Sequence, residues 1–126
     1  MSHHEHPNVM AARKMADAMA AGDMQKAASY LANDVEWHVI GRKEAYHGLA
    51  GLQDSMKDTA DSTITFKVHD VTGNNDHTIA LGEATATRGG KSLVYRTAEI
   101  YHFKDGKVSE RWAFSDDTKA INDFFG

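Results

Sequence analysis

Apolar positions along the chain first recur with a helical period and later alternate. After Asn8, a plausible N-cap, Val9, Ala12, Ala16 and Met19 fall three or four residues apart in an alanine-rich stretch, which predicts an amphipathic helix. Gly22 ends it and Asp23 caps a second helix whose inner face is Met24, Ala27, Ala28 and Leu31. From Val35 the period changes, and Val35 to Ile40 reads as a short strand stopped by Gly41. A polar loop over 41–48 leads to a third helix from about Leu49 to Ala60, with Leu49, Leu52 and Met56 as its stripe. Four strands follow: Thr63 to Val71, His77 to Arg88, Lys91 to Phe103 and Val108 to Phe114. The turns between them, at Gly73-Asn74-Asn75-Asp76, Gly89-Gly90 and Lys104-Asp105-Gly106-Lys107, carry hairpin residues. A short helix closes the chain, capped by Asp116 or Asp117 and carrying Ala120, Ile121, Phe124 and Phe125.

Helices first and strands afterwards predict an α+β fold. A long meander twists and curls, so the expected shape is a curved, mostly antiparallel sheet wrapped around three N-terminal helices. Strand parity sorts its faces. Ala80, Gly82, Ala84 and Ala86 share one face of their strand, and this row of small side chains leaves room either for closely packed helices or for a ligand. A one-residue slip would exchange the faces.

Composition narrows the function. A chain of 126 residues is one domain. We expect a lead-in over 1–7, which leaves the single proline outside the fold, and a domain over 8–126. A formal charge of -4 offers no basic face for nucleic acid or anionic membrane. No apolar run approaches the roughly 20 residues that cross a bilayer, and no signal peptide is legible. The absence of cysteine excludes thiol chemistry and fits a reducing, cytoplasmic setting.

Several segments, in this order and spacing, resemble the nuclear-transport-factor-2-like superfamily and, within it, the SnoaL-like group. They are Val35–Gly41 with Tyr46-His47-Gly48, Val68-His69-Asp70-Val71, the run from Ala84 to Lys91, the run from Tyr101 to Val108, and Glu110-Arg111-Trp112 leading to Asp116-Asp117 and Phe124. The resemblance implies a cone-shaped barrel with an apolar pocket, commonly a homodimer, whose chemistry uses carboxylates or tyrosines. It places the small-residue row on the cavity side. By the same correspondence Tyr95, Thr97, Glu99 and Tyr101 face inward, as do Ser109, Arg111 and Ala113. Val94, Ala98, Ile100, Val108, Trp112 and Phe114 then form an apolar convex face, to be covered by a second subunit. The sequence also departs from the relatives. Ala80, Gly82 and Ala113 stand where limonene-epoxide hydrolase carries its Arg and Asp residues. Arg111 and Ala113 stand where SnoaL-like cyclases often show His and Asp. The first-helix tyrosine of ketosteroid isomerase has no counterpart between Asn8 and Ala21.

The residues expected to carry chemistry are His38, Glu99 and Tyr101. An imidazole near neutrality suits proton abstraction beside a carbonyl, although His38 would serve no such end on the strand's outer face. Glu99 in an apolar cone becomes useful as acid or base, or pairs with Arg111 or Arg96. Tyr101 could donate its hydroxyl to a bound oxygen or pack in the core. Trp37, Tyr30, Met19, Tyr95, Thr97 and Arg111 are the expected ligand-binding residues, and Met10, Met15, Met19, Met24 and Met56 are expected to fill core or a plastic pocket wall. His69, Asp70, Asp76 and His77 flank a hairpin but read as ordinary turn residues, so no metal and no cofactor is expected. These features describe a small cofactor-free pocket protein for a compact, largely apolar molecule bearing a carbonyl or hydroxyl. Isomerisation, cyclisation or dehydration by proton transfer are the reactions it could carry. A non-catalytic carrier domain and a dimeric interaction module remain open as alternatives.

Overall fold

The structure, a computed structural model, describes residues 6–125. Helix α1 spans Pro7–Ala20 and α2 spans Met24–Ala28. Strand β1 (Leu31–Trp37) and a two-residue β2 (Tyr46–His47) precede α3 (Gly48–Asp58). Then come β3 (Thr63–Gly73), β4 (Thr78–Arg88), β5 (Lys91–Lys104), β6 (Lys107–Ser115) and α4 (Thr118–Phe125). The strands form one sheet in the order β2-β1-β6-β5-β4-β3. All neighbours are antiparallel except β1 and β6, which run parallel. This is the expected α+β cone, with β2 and the parallel junction as additions.

Helix α1 starts one residue before the expected cap. Pro7 occupies its first turn, where a missing N–H costs nothing, and the His6 ring accepts from the Asn8 amide. The proline is therefore part of the fold, and most of the expected lead-in, residues 1–5, lies outside the described residues. The buried stripe of α1 is Val9, Ala12, Met15 and Ala18. Met19 points outward, as do Met10, Met24 and Met56, so Met15 alone of the five methionines expected in the core is fully buried. Asp23 caps α2 as expected, its side chain accepting from the Lys26 amide.

Two bulges decide which side chains enter the cone. In β3 the pairing jumps from Val68↔Gly82 to Asp70↔Leu81, leaving His69 as the extra residue and returning Val71 to the interior. In β6 the pairing jumps from Phe103↔Val108 to His102↔Glu110, leaving Ser109 unpaired. Simple alternation from Arg111 puts Val108 on the convex face. The bulge reverses that parity, and Val108 is fully buried. On β4 and β5 alternation runs without interruption, and Ala80, Gly82, Ala84, Ala86, Tyr95, Thr97, Glu99 and Tyr101 are all buried, as expected.

The interior has two apolar clusters. One gathers α1, β1 and the β5–β6 end: Val9, Ala12, Met15, Val35, Trp37, Val71, Tyr101 and Val108. The other sits under α4: Ala84, Ala86, Tyr95 and Ile121, with Phe66, Leu93, Phe124 and Phe125 against them. Among the described residues no helix is long and apolar enough to cross a membrane.

Candidate functional site

Between the two clusters runs a polar belt. Along β5 the inward positions are Tyr95, Thr97, Glu99 and Tyr101, so Thr97 and Glu99 occupy the gap between two apolar tyrosine anchors. The neighbouring strands meet that gap with small residues: Ala80 and Ala113 lie on either side of Glu99, and Gly82 lies beside Thr97. At Gly82 the small size is a packing requirement, because a Cβ there would come within 2.8 Å of both the Lys67 carbonyl and the Phe66 ring. At Glu99 the directly opposed residues, Ala80 and Ala113, bring only methyl groups from the neighbouring strands.

Glu99 is fully engaged. One carboxylate oxygen pairs with the Arg111 guanidinium, and the other accepts the Tyr101 hydroxyl at 3.1 Å. Arg111 reaches this position because it lies opposite Tyr101 in the β5–β6 ladder, on the interior side of the Ser109 bulge. A second guanidinium nitrogen donates to the His38 carbonyl at 2.9 Å, and the group stacks over the Trp37 ring, 4.4 Å from its centroid. The charges of both partners are nearly out of water, with side chains 11% and 10% exposed. Burial, reinforced by the adjacent Glu99 charge, raises the Tyr101 phenol well above its ordinary pKa. Tyr101 is thus a neutral donor throughout the physiological range. Burial also raises the Tyr95 phenol.

Two polar atoms of the belt are buried without a hydrogen-bond partner: Arg111 Nε and Thr97 Oγ1. Such atoms are costly to leave unmatched. One is a donor and the other a donor or acceptor, so together they present hydrogen-bonding capacity to any oxygen that enters beside Glu99.

The structure gathers Trp37, Tyr95, Thr97, Glu99, Tyr101 and Arg111 on the interior face and leaves the other three named residues elsewhere. His38 follows Trp37 directly, so its ring emerges on the opposite face, stacked on Trp112 with centroids 3.6 Å apart and planes within 7°. Its contribution to the belt is its backbone carbonyl. Met19 lies on the exposed side of α1. Tyr30 packs against the edge of the first cluster, and its carbonyl accepts from the Val108 amide. Two surface depressions are lined by neither Glu99, Tyr101 nor Arg111. One, of about 590 Å³, lies between the Ala32–Asp34 arch and the Lys104–Ser109 turn. The other, of about 280 Å³, is lined by Arg96, Thr97, Ala98, Phe114, Ser115 and Asp116.

Residues 12–111 match the profile of the SnoaL-like domain. The chain belongs to the SnoaL-like domain family. Solved structures share this SnoaL-like fold over nearly their whole length. Bal32a, from a soil-derived mobile gene cassette, is 23% identical with a TM-score of 0.85, covering 95% of this chain and 97% of its own. TerC, co-crystallised with polyporic acid, is 18% identical with a TM-score of 0.80, covering 95% and 98%. A nuclear-transport-factor-2-like protein from Burkholderia xenovorans is 17% identical with a TM-score of 0.81, covering 99% and 100%. No curated protein matches the sequence significantly. The family match and the shared fold name no ligand for this chain, so its chemistry follows from its own belt.

Proposed function

We propose that the interior belt is a small-ligand site, and that its ligand is a compact, largely apolar molecule carrying a carbonyl or hydroxyl oxygen. The observation that carries this reading is the buried Tyr101–Glu99–Arg111 cluster with Arg111 Nε and Thr97 Oγ1 left unmatched. A purely structural ion pair gains nothing from orphaned donors beside it, whereas a ligand oxygen would satisfy them. Trp37 and Tyr95 supply apolar and aromatic surface for the rest of the molecule. TerC, which shares the fold, was crystallised with an organic acid in hand, and polyporic acid is a sensible first probe.

Proton abstraction beside a carbonyl is the reaction class that suits these groups. Glu99 would take the proton on a lone pair that Arg111 and Tyr101 leave free, and the unmatched Arg111 Nε–H would face the developing enolate oxygen, with Tyr101 holding Glu99 in place. His38 has no part in this scheme, because its ring is on the other face of the sheet. Binding is followed by Trp37 fluorescence in a Trp112→Phe background, across a panel of hydroxyquinones, cyclic ketones and lactones. Glu99→Gln should keep binding within a few-fold and abolish turnover of any ligand that is converted. A panel in which no compound alters Trp37 emission would reject the ligand-site reading. Binding with Glu99→Gln as active as the parent would reject the catalytic role alone.

The convex face favours a second element, a homodimer. Val94, Trp112 and Phe114 expose their side chains there, with Ala98 and Ile100 between them on the same face. An apolar sheet face of this extent is ordinarily covered, and a second copy of the chain would cover it.

A further inference from the structure

We propose that Glu36, His38 and Glu110 form a binding site for a divalent transition-metal ion, Zn²⁺ or a first-row neighbour, on the outer face of the β1–β6 junction. Glu36 and Glu110 are direct partners across this parallel pair, and His38 lies two residues beyond Glu36 on the same side. One ligand atom from each of the three lies within 4.8 Å of the others. His38 Nε2 is 3.4 Å from Glu36 Oε1. That matches the edge of a tetrahedron built from metal bonds of about 2.0–2.1 Å. Glu110 comes in from a separation of at most 4.8 Å, within reach of a carboxylate at the end of a rotatable side chain.

Three features set this cluster apart from ordinary surface carboxylates. First, His38 Nε2 is excluded from solvent and makes no hydrogen bond. When its proton is on Nδ1, that nitrogen offers a lone pair to a metal in place of its ion pair with Glu36. Second, the ligands are already oriented: the imidazole plane is held by the stack on Trp112, and the Trp112 indole N–H donates to Glu110. Third, the two carboxylates face each other without a lysine or arginine paired to either among the described residues. His102, opposite Glu110 in the β5–β6 ladder, offers a further nitrogen donor on the next strand. An imidazole beside two carboxylates favours borderline ions over Mg²⁺ or Ca²⁺, which take oxygen alone. Bound there, the ion would clamp β1 to β6 at the junction where the ladder is interrupted by the arch between Leu31 and Glu36.

The test uses the full chain with His3→Ala and His4→Ala, which remove two competing imidazoles from its start. Equilibrium dialysis and calorimetry with ZnCl₂, and the visible absorption of bound Co²⁺, give stoichiometry and affinity. One equivalent is expected, with affinity lowered at least tenfold in both His38→Gln and Glu110→Gln and with the thermal midpoint raised by Zn²⁺ only in the parent. Glu110→Gln leaves the His38–Trp112 stack in place, so it decides the matter if His38→Gln misfolds. Absence of Zn²⁺ binding, or binding that Glu110→Gln leaves unchanged, would overturn the proposal.

Discussion

Arg111→Met probes the belt most sharply, because it removes one half of a desolvated pair and keeps the bulk of the side chain. Glu99 is then a carboxylate flanked by Ala80 and Ala113, with the Tyr101 hydroxyl as its one remaining donor. Leaving one member of a buried pair uncompensated costs about 3–5 kcal/mol. The lost donor to the His38 carbonyl adds about 1 kcal/mol, and the lost stacking over Trp37 adds about 0.5–1 kcal/mol. Some of this is returned as water reaches Glu99, so about 4 kcal/mol is expected in all, a large part of the roughly 5–15 kcal/mol that holds a domain of this size together. With a urea m-value near 2 kcal/mol/M, the midpoint should fall by about 2 M in equilibrium unfolding followed by far-UV circular dichroism. Adding Glu99→Leu removes the stranded charge, so the double variant should regain at least about 2 kcal/mol, a coupling that only contacting residues show. A midpoint loss below about 0.5 M in Arg111→Met, or a double variant weaker than the single, would refute the reasoning. Either would mean that Glu99 is hydrated and the belt is not a low-dielectric site.

Other outcomes follow from the same geometry. Folding raises the Tyr101 and Tyr95 phenols above their ordinary value of 10, so above that pH the unfolded chain binds fewer protons than the folded one. Stability should hold up to about pH 10 and fall as pH climbs further, and Tyr101→Phe should flatten that decline in urea titrations at stepped pH. Gly82→Ala drives a methyl group into the Lys67 carbonyl and the Phe66 ring, and should cost about 1–3 kcal/mol by chemical denaturation. Val94→Ser with Phe114→Ser should convert a dimer to a folded monomer in sedimentation equilibrium, and an unchanged mass would remove the convex face as the interface.

Parity carried much of the site. Uninterrupted alternation on two hairpin-linked strands is enough to put Ala80 to Ala86 and Tyr95 to Tyr101 inside. Bulges are where it failed: nothing in Lys107-Val108-Ser109-Glu110 announces that Ser109 is an extra residue, so Val108 was expected outside. His38 is a different kind of miss. Trp37 and His38 are adjacent on one strand, and alternation forbids both from facing the same cavity. Burial of Trp37 already implied an outward His38. The parallel β1–β6 pairing joins residues far apart in the chain, so the meeting of Glu36 with Glu110 had no local signal. The α1 stripe was displaced from Ala16 and Met19 to Met15 and Ala18 because every turn of that helix is rich in alanine and methionine, and apolar periodicity alone does not fix its rotation.

The central claim is that a ligand oxygen meets Arg111 Nε inside the cone. Arginine Nε–H correlation spectra of ¹⁵N-labelled protein, titrated with polyporic acid and the carbonyl panel, address it directly. The account predicts a saturable shift of the Arg111 signal with at least one compound, while Arg42 and Arg96 on the surface stay still. Binding that moves surface signals and leaves Arg111 unmoved, or no binding by any compound, would contradict it.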